Sequence, residues 1–103
     1  MPKSDLYEGS QQTIVLKNGR PLPIEPSRKL ASKSTEFSWS YGGSGPAQLA
    51  LALLYDVTGD EKLSLDLFQD FKWTVVAGWG ETWVITADGI RKWIAAKKAG
   101  QSE

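Results

Sequence analysis

The sequence predicts an α+β fold in which a small, mostly antiparallel sheet, made of an N-terminal hairpin plus two further strands, packs against three helices. Three observations carry that expectation. Ile14, Val15 and Leu16 have high β propensity and run into Asn18-Gly19, a hairpin signal because both turn residues accept positive φ. Phe37, Trp39 and Tyr41 alternate with Ser38 and Ser40, the period of a strand with one aromatic face. Two apolar-patterned stretches meet at Gly59-Asp60, which reads as a tight corner between helices.

Residues 1–36 read as a β-hairpin and a flexible loop. Residues 6–9 and 13–17 are short strands, and residues 20–24 are the returning one. Pro21 and Pro23 cannot donate to a ladder, which confines that third strand to an edge. Residues 26–35 (PSRKLASKST) offer only Leu30 and Ala31 for burial and read as loop.

Residues 37–98 read as the αβ core. After the 37–41 strand, Gly42-Gly43-Ser44-Gly45-Pro46 turns the chain into a helix running to about Thr58. Pro46 suits its first position, with Gly45 or Ser44 as cap. With Gly45 capping, Gln48 takes the third helical position and reaches back toward the exposed amides. Apolar residues surround this helix, so it is central and covered on most sides. Gly59 ends it in a left-handed conformation, and Asp60 caps the next helix, residues 61–77. There Leu63, Leu67, Phe68, Phe71 and Val75 make the buried stripe, with Lys62, Asp66 and Asp70 off it. Gly78 and Gly80 interrupt the chain around Trp79, residues 82–85 form the last strand, and Thr86 caps a helix to about Lys98. Residues 99–103 read as a disordered tail.

At 103 residues a single domain is the natural count. The chain has no cysteine and no histidine, which excludes disulfides, thiolate metal sites and the Ser-His-Asp and Cys-His mechanisms. Twelve basic and twelve acidic residues cancel, so no whole-molecule field draws in nucleic acid or an anionic membrane. The neutrality is a sum of unlike parts: residues 37–90 hold seven acids against two bases, and residues 91–103 hold four bases against one acid. The opening MPKSDLYEGS lacks the apolar stretch of a secretory signal. The most apolar run, residues 47–55, falls well short of the roughly twenty residues a bilayer span needs. A cytoplasmic location is the expectation.

The string Trp39-Ser40-Tyr41-Gly42-Gly43-Ser44-Gly45-Pro46-Ala47-Gln48-Leu49-Ala50-Leu51-Ala52-Leu53-Leu54 resembles an uncharacterised family of small bacterial and phage-associated proteins, known as a domain of unknown function. Thr58-Gly59-Asp60, Phe71-Lys72 and Thr82-Trp83 stand where that family's pattern places an acidic corner, a Phe-Lys pair and a terminal tryptophan strand. The resemblance covers roughly residues 37–95. It implies a recurrent protein of mobile-element type and lends no catalytic residue.

Two candidate sites follow from the residues. Gly43, Ser44 and Gly45 open a helix and can turn backbone N–H groups toward a phosphate or carboxylate, with Trp39 and Tyr41 placed to stack on a base or sugar. No Walker-type lysine follows and the dinucleotide spacing is absent, so the turn reads first as a close-packing device. Trp79, free of regular structure between two glycines, is the tryptophan expected nearest the surface and a natural interface anchor there, although a core or partly core position is the favoured reading. Asp66 and Asp70, one turn apart, give an acidic face for a partner or, read plainly, a solvated one. The acidic residues Asp56, Asp60, Glu61, Asp66 and Asp70 lack any EF-hand spacing, so no metal and no cofactor is expected. Arg28, Lys29 and Lys33, and Arg91, Lys92, Lys97 and Lys98, form basic groups that suit solvated faces and a helix C-terminus, and nucleic acid is not the expected partner. The function expected is that of a small non-enzymatic interaction protein with a protein partner. The runner-up is an anion- or nucleotide-binding module using the Gly42–Pro46 turn. Partner identity and oligomeric state stay open at this level.

Overall fold

The computed structural model describes residues 4–101. Residues 1–3 of the opening segment lie outside them, as do residues 102 and 103 of the expected tail. The fold is α+β. Strands β1 (Leu6–Ser10), β2 (Ile14–Lys17), β3 (Arg20–Pro21) and β4 (Trp83–Thr86) form one antiparallel sheet in the order β3-β2-β1-β4. Helices α1 (Glu25–Leu30), α2 (Ser44–Thr58), α3 (Glu61–Thr74) and α4 (Ala87–Gln101) complete it, with a 3-10 turn at Val76–Gly78.

Local chemistry explains most of these elements. Asn18 (φ 53°) and Gly19 (φ 83°) make the left-handed pair that turns β2 into β3, setting Lys17 opposite Arg20. Asn18 also ties β1 down: its N–H donates to Leu6 O at 2.7 Å, and its Oδ1 accepts from Leu6 N at 2.9 Å. Gly59 (φ 66°) closes α2 in the left-handed conformation, its N–H donating to Tyr55 O at 2.7 Å. One residue later the Asp60 carboxylate accepts from Leu63 N at 3.0 Å and starts α3, a cap contributing about 1 kcal/mol. Thr86 Oγ1 accepts from Gly89 N at 3.0 Å at the start of α4.

The core centres on α2. Every residue from Gly45 to Leu54 is buried, which matches a helix apolar on all sides. It packs against α3 on one side, and Tyr7, Phe71 and Ile90 are fully buried around it. Tyr7 also fastens the sheet to this helix. Its phenol donates to Asp56 Oδ2 at 2.6 Å, and Lys17 Nζ reaches the same oxygen at 2.8 Å and Asp5 at 3.8 Å. Burial, and then the bond to Asp56, push the Tyr7 phenol well above the ordinary tyrosine range. The hydrogen bond to Asp56 holds Lys17 above its usual value.

Several sequence expectations are corrected here. Residues 37–41 form no strand. The alternation is real for burial, since Phe37 and Trp39 are both buried, but Ser40 takes φ 78° and breaks the extended run before Tyr41. Residues 26–35 are not all loop, because α1 occupies Glu25–Leu30 and the helices number four. The helix α2 starts at Ser44 with Gly43 as cap, so Pro46 stands third, not first. Gln48 is fully buried and turns away from the helix end: its Oε1 accepts from Lys33 N (2.7 Å) and Ser34 N (3.0 Å), and its Nε2 donates to Ser27 Oγ (2.9 Å) and Ala31 O (3.2 Å). One side chain thus uses both donors and both lone pairs to hold α1 and the following segment against α2. At the other end α3 stops at Thr74, and α4 continues through Gln101, three residues beyond Lys98.

Candidate functional site

Two irregular segments, residues 37–43 and 76–81, lie side by side and form the site. Ser40 joins them. Its N–H donates to Val76 O at 3.2 Å and its hydroxyl to Trp79 O at 2.5 Å. A non-glycine residue at positive φ is strained, and such strain persists only where surrounding contacts over-determine it. Those two long-range bonds supply the constraint. Gln11 (φ 52°) and Gln12 (φ 72°), in the loop between β1 and β2, are held in the same region of φ.

Between these segments opens a cleft of about 640 Å³, lined by Gln12, Thr13, Trp39, Ser40, Trp79 and Glu81 among others. That volume lies in the range of small-ligand and side-chain pockets, about 300–1,000 Å³. Trp39 and Trp79 are anchored from below by Trp83. Trp79 stacks on Trp83 with centroids 4.1 Å apart and planes 16° apart, and Trp39 meets it edge-on at 5.5 Å. Trp83 itself is buried across Gly9, its directly opposed neighbour in β1, where a Cβ would overlap the ring. Its Nε1–H has no acceptor among the described residues, at a cost of about 1–3 kcal/mol. The aromatic floor is therefore rigid, being built on the sheet.

Tyr41 forms the cleft's outer wall and is 54% exposed. Its hydroxyl lies 3.1 Å from Ser38 Oγ, and its ring covers Gly43 so closely that a Cβ there would collide with it. Next door, Trp73 from α3 covers Gly42 in the same way and is 62% exposed. Lys72 Nζ sits 4.3 Å from the Trp73 ring centroid. The Gly42-Gly43 step thus seats two exposed rings, Tyr41 on the cleft wall and Trp73 on the neighbouring glycine.

The structure sorts the candidates of the sequence. Trp39, Tyr41 and Trp79, drawn there from two separate sites, meet in a single cleft. Trp79 is half-buried, and Trp73 is the exposed tryptophan. The reason is the stack on Trp83, which holds Trp79 despite the freedom its flanking glycines suggest. Trp73 had a readable signal: it follows Asp66 by seven residues and Asp70 by three, on the face opposite Phe71. Asp66 and Asp70 lie outside the cleft and are paired, Asp66 with Lys62 at 2.8 Å and Asp70 with Lys97 at 3.0 Å. Arg28 and Arg91 pair with Glu25 and Asp88.

Gly43 and Gly45 are engaged in packing, while Ser44 is exposed. Ser38 Oγ fills the space a Gly45 Cβ would need, and Gly45 is buried. Pro46 contributes no N–H, and Ala47 N donates to Gly43 O at 3.1 Å. Only the Ser44 and Gly45 amides of the first turn are left over, and the one charge lining the adjoining cleft is the acid Glu81. Among the described residues no group of three or more acids could hold a metal ion, and no helix is long and apolar enough to cross a membrane.

These features define a small α+β domain whose chemistry is concentrated in an aromatic surface beside a glycine turn. The chain belongs to a family of unknown function, DUF6166, whose model matches residues 7–96. That match takes in the sheet, the cleft and nearly all of the helical core. No curated protein and no solved structure matches the chain.

Proposed function

We propose that this protein is a non-enzymatic interaction module that grips a segment of a partner protein on the surface formed by Trp73, Tyr41 and the Trp39–Trp79 cleft. One observation carries the reading: Tyr41 and Trp73 are largely exposed yet held by the Gly42-Gly43 step against the body of the domain. Exposed, pre-positioned tryptophan and tyrosine rings next to a concave pocket are the usual anchors of a protein interface. Little ordering entropy is lost when such rings are already fixed. The resemblance to phage-associated proteins supports a role as an accessory factor of a phage or mobile element, acting in the cytoplasm on a host or phage protein.

The test places a photo-crosslinking amino acid at position 41 and, as control, at Lys92 on the exposed side of α4. The expected result is one protein species captured from a host lysate at position 41, absent at position 92 and lost on Trp73→Ala in a chain that stays folded. Equal capture at both positions would overturn the reading.

A further inference from the structure

We infer that the Trp39–Trp79 cleft is a receptor for a guanidinium group, so that the partner segment presents an arginine side chain. The inference rests on the interaction reading above and adds the chemistry of the bound residue.

The lining decides the sign of the ligand. Glu81 is the single charged side chain on the cleft wall, and no basic residue lines it. Among the described residues Glu81 has no ion pair or hydrogen bond, whereas Asp66 and Asp70 on α3 are both paired. The other polar side chains that line the cleft are the hydroxyls of Thr13, Ser38, Ser40 and Tyr41 and the Gln12 amide. An anion would meet a like charge and no cation. A cation would meet a free carboxylate.

The aromatic floor points the same way. Ring faces carry negative quadrupole potential and attract cations within about 6 Å of the centroid. Two rings of this protein already hold cations of their own: Lys72 lies over Trp73 at 4.3 Å and Lys33 over Phe68 at 6.0 Å. Among the described residues no cation lies over Trp39, Tyr41 or Trp79, the three rings of the cleft. A planar guanidinium suits this geometry better than an ammonium. It can lie against a ring while its fork of donors reaches a carboxylate and nearby hydroxyls.

The experiment follows the backbone amide of Ser40 and the indole Nε1–H signals of Trp39 and Trp79 by NMR. The intact protein is titrated with a blocked Gly-Ser-Arg-Ser-Gly peptide, with its citrulline counterpart, with its lysine counterpart and with adenosine monophosphate. The expected result is a saturable shift of the three signals with the arginine peptide, weaker with lysine and absent with citrulline. Glu81→Gln is expected to weaken the arginine peptide about two- to fivefold, as does added salt. Equal shifts with citrulline would show a cleft that accepts peptides without reading charge, which overturns this inference and leaves the interaction module standing. A response to adenosine monophosphate alone, or to none of the four, would overturn the inference as well. The crosslinking result at position 41 decides separately on the interaction module.

Discussion

Gln48 holds the site's scaffold together, and Gln48→Met isolates its contribution. Methionine has similar length and flexibility but no hydrogen-bonding amide, so the change removes four bonds and little volume. At about 0.5–1.5 kcal/mol net for each neutral bond, four bonds contribute about 2–6 kcal/mol. Two details favour the lower half of that range. Ser27 Oγ keeps its bond to Ile24 O at 2.8 Å, and the bond from Lys33 N is only partly buried, at an exposed residue. The expected loss is therefore about 2–4 kcal/mol, from a total that for such domains is about 5–15 kcal/mol. Urea unfolding followed by tryptophan fluorescence measures it, and amide exchange locates it. Protection at Lys33 and Ser34 should fall first, because Gln48 is their acceptor. Residues 37–43 leave this tether directly, so the Trp39 and Tyr41 signals should broaden too. A loss below about 1 kcal/mol with unchanged exchange at Lys33 and Ser34 would refute the tether.

Two further outcomes are expected. Tyr7 keeps its proton in the folded state above the pH, near 10, at which an unfolded tyrosine releases it, so stability falls with rising pH there by about 1.4 kcal/mol per unit. Lys17, raised by its bond to Asp56, is still charged in the folded state where the unfolded lysine is not, and adds a loss of the same sign. Urea midpoints measured from about pH 9 to 12 should fall less steeply in Tyr7→Phe than in the parent. Gly42→Ala puts a methyl group where the exposed Trp73 ring lies, so the ring swings aside while the fold stays within about 1 kcal/mol of the parent. A red-shifted emission together with lost capture at position 41 is the expected pair of results, and an unmoved Trp73 would count against the seating.

What the sequence made legible is what short-range chemistry enforces. Asn18-Gly19, Gly59-Asp60 and Thr86 each act within four residues of their own positions, and all three were readable as turn or caps. The encircling apolar pattern of residues 46–58 likewise named α2 as the central helix. The helix α1 was not readable, since six residues with a proline in the first turn are far too short to be stable alone. It is held by Gln48, twenty-one positions from Ser27, whose amide donates to Ser27 Oγ and Ala31 O. Trp79 depends on a distant contact in the same way. Two flanking glycines speak for freedom, while the stack on Trp83 that limits it depends on where β4 lies in the sheet.

The site concentrates this dependence on distant contacts. An alternating aromatic run such as residues 37–41 favours extended backbone throughout, and as a strand it would turn Tyr41 inward with Phe37 and Trp39. Ser40 at φ 78° turns it outward instead, at a conformational cost of about 1–3 kcal/mol. The bonds to Val76 and Trp79, thirty-six and thirty-nine positions away, offset that cost, and they exist only once α3 has delivered the 76–81 segment to the same place. The strained residue therefore does what a regular strand could not: it leaves Trp39 in the floor, lifts Tyr41 to the rim, and opens between them and Trp79 a cleft whose one charge, Glu81, is unpaired among the described residues.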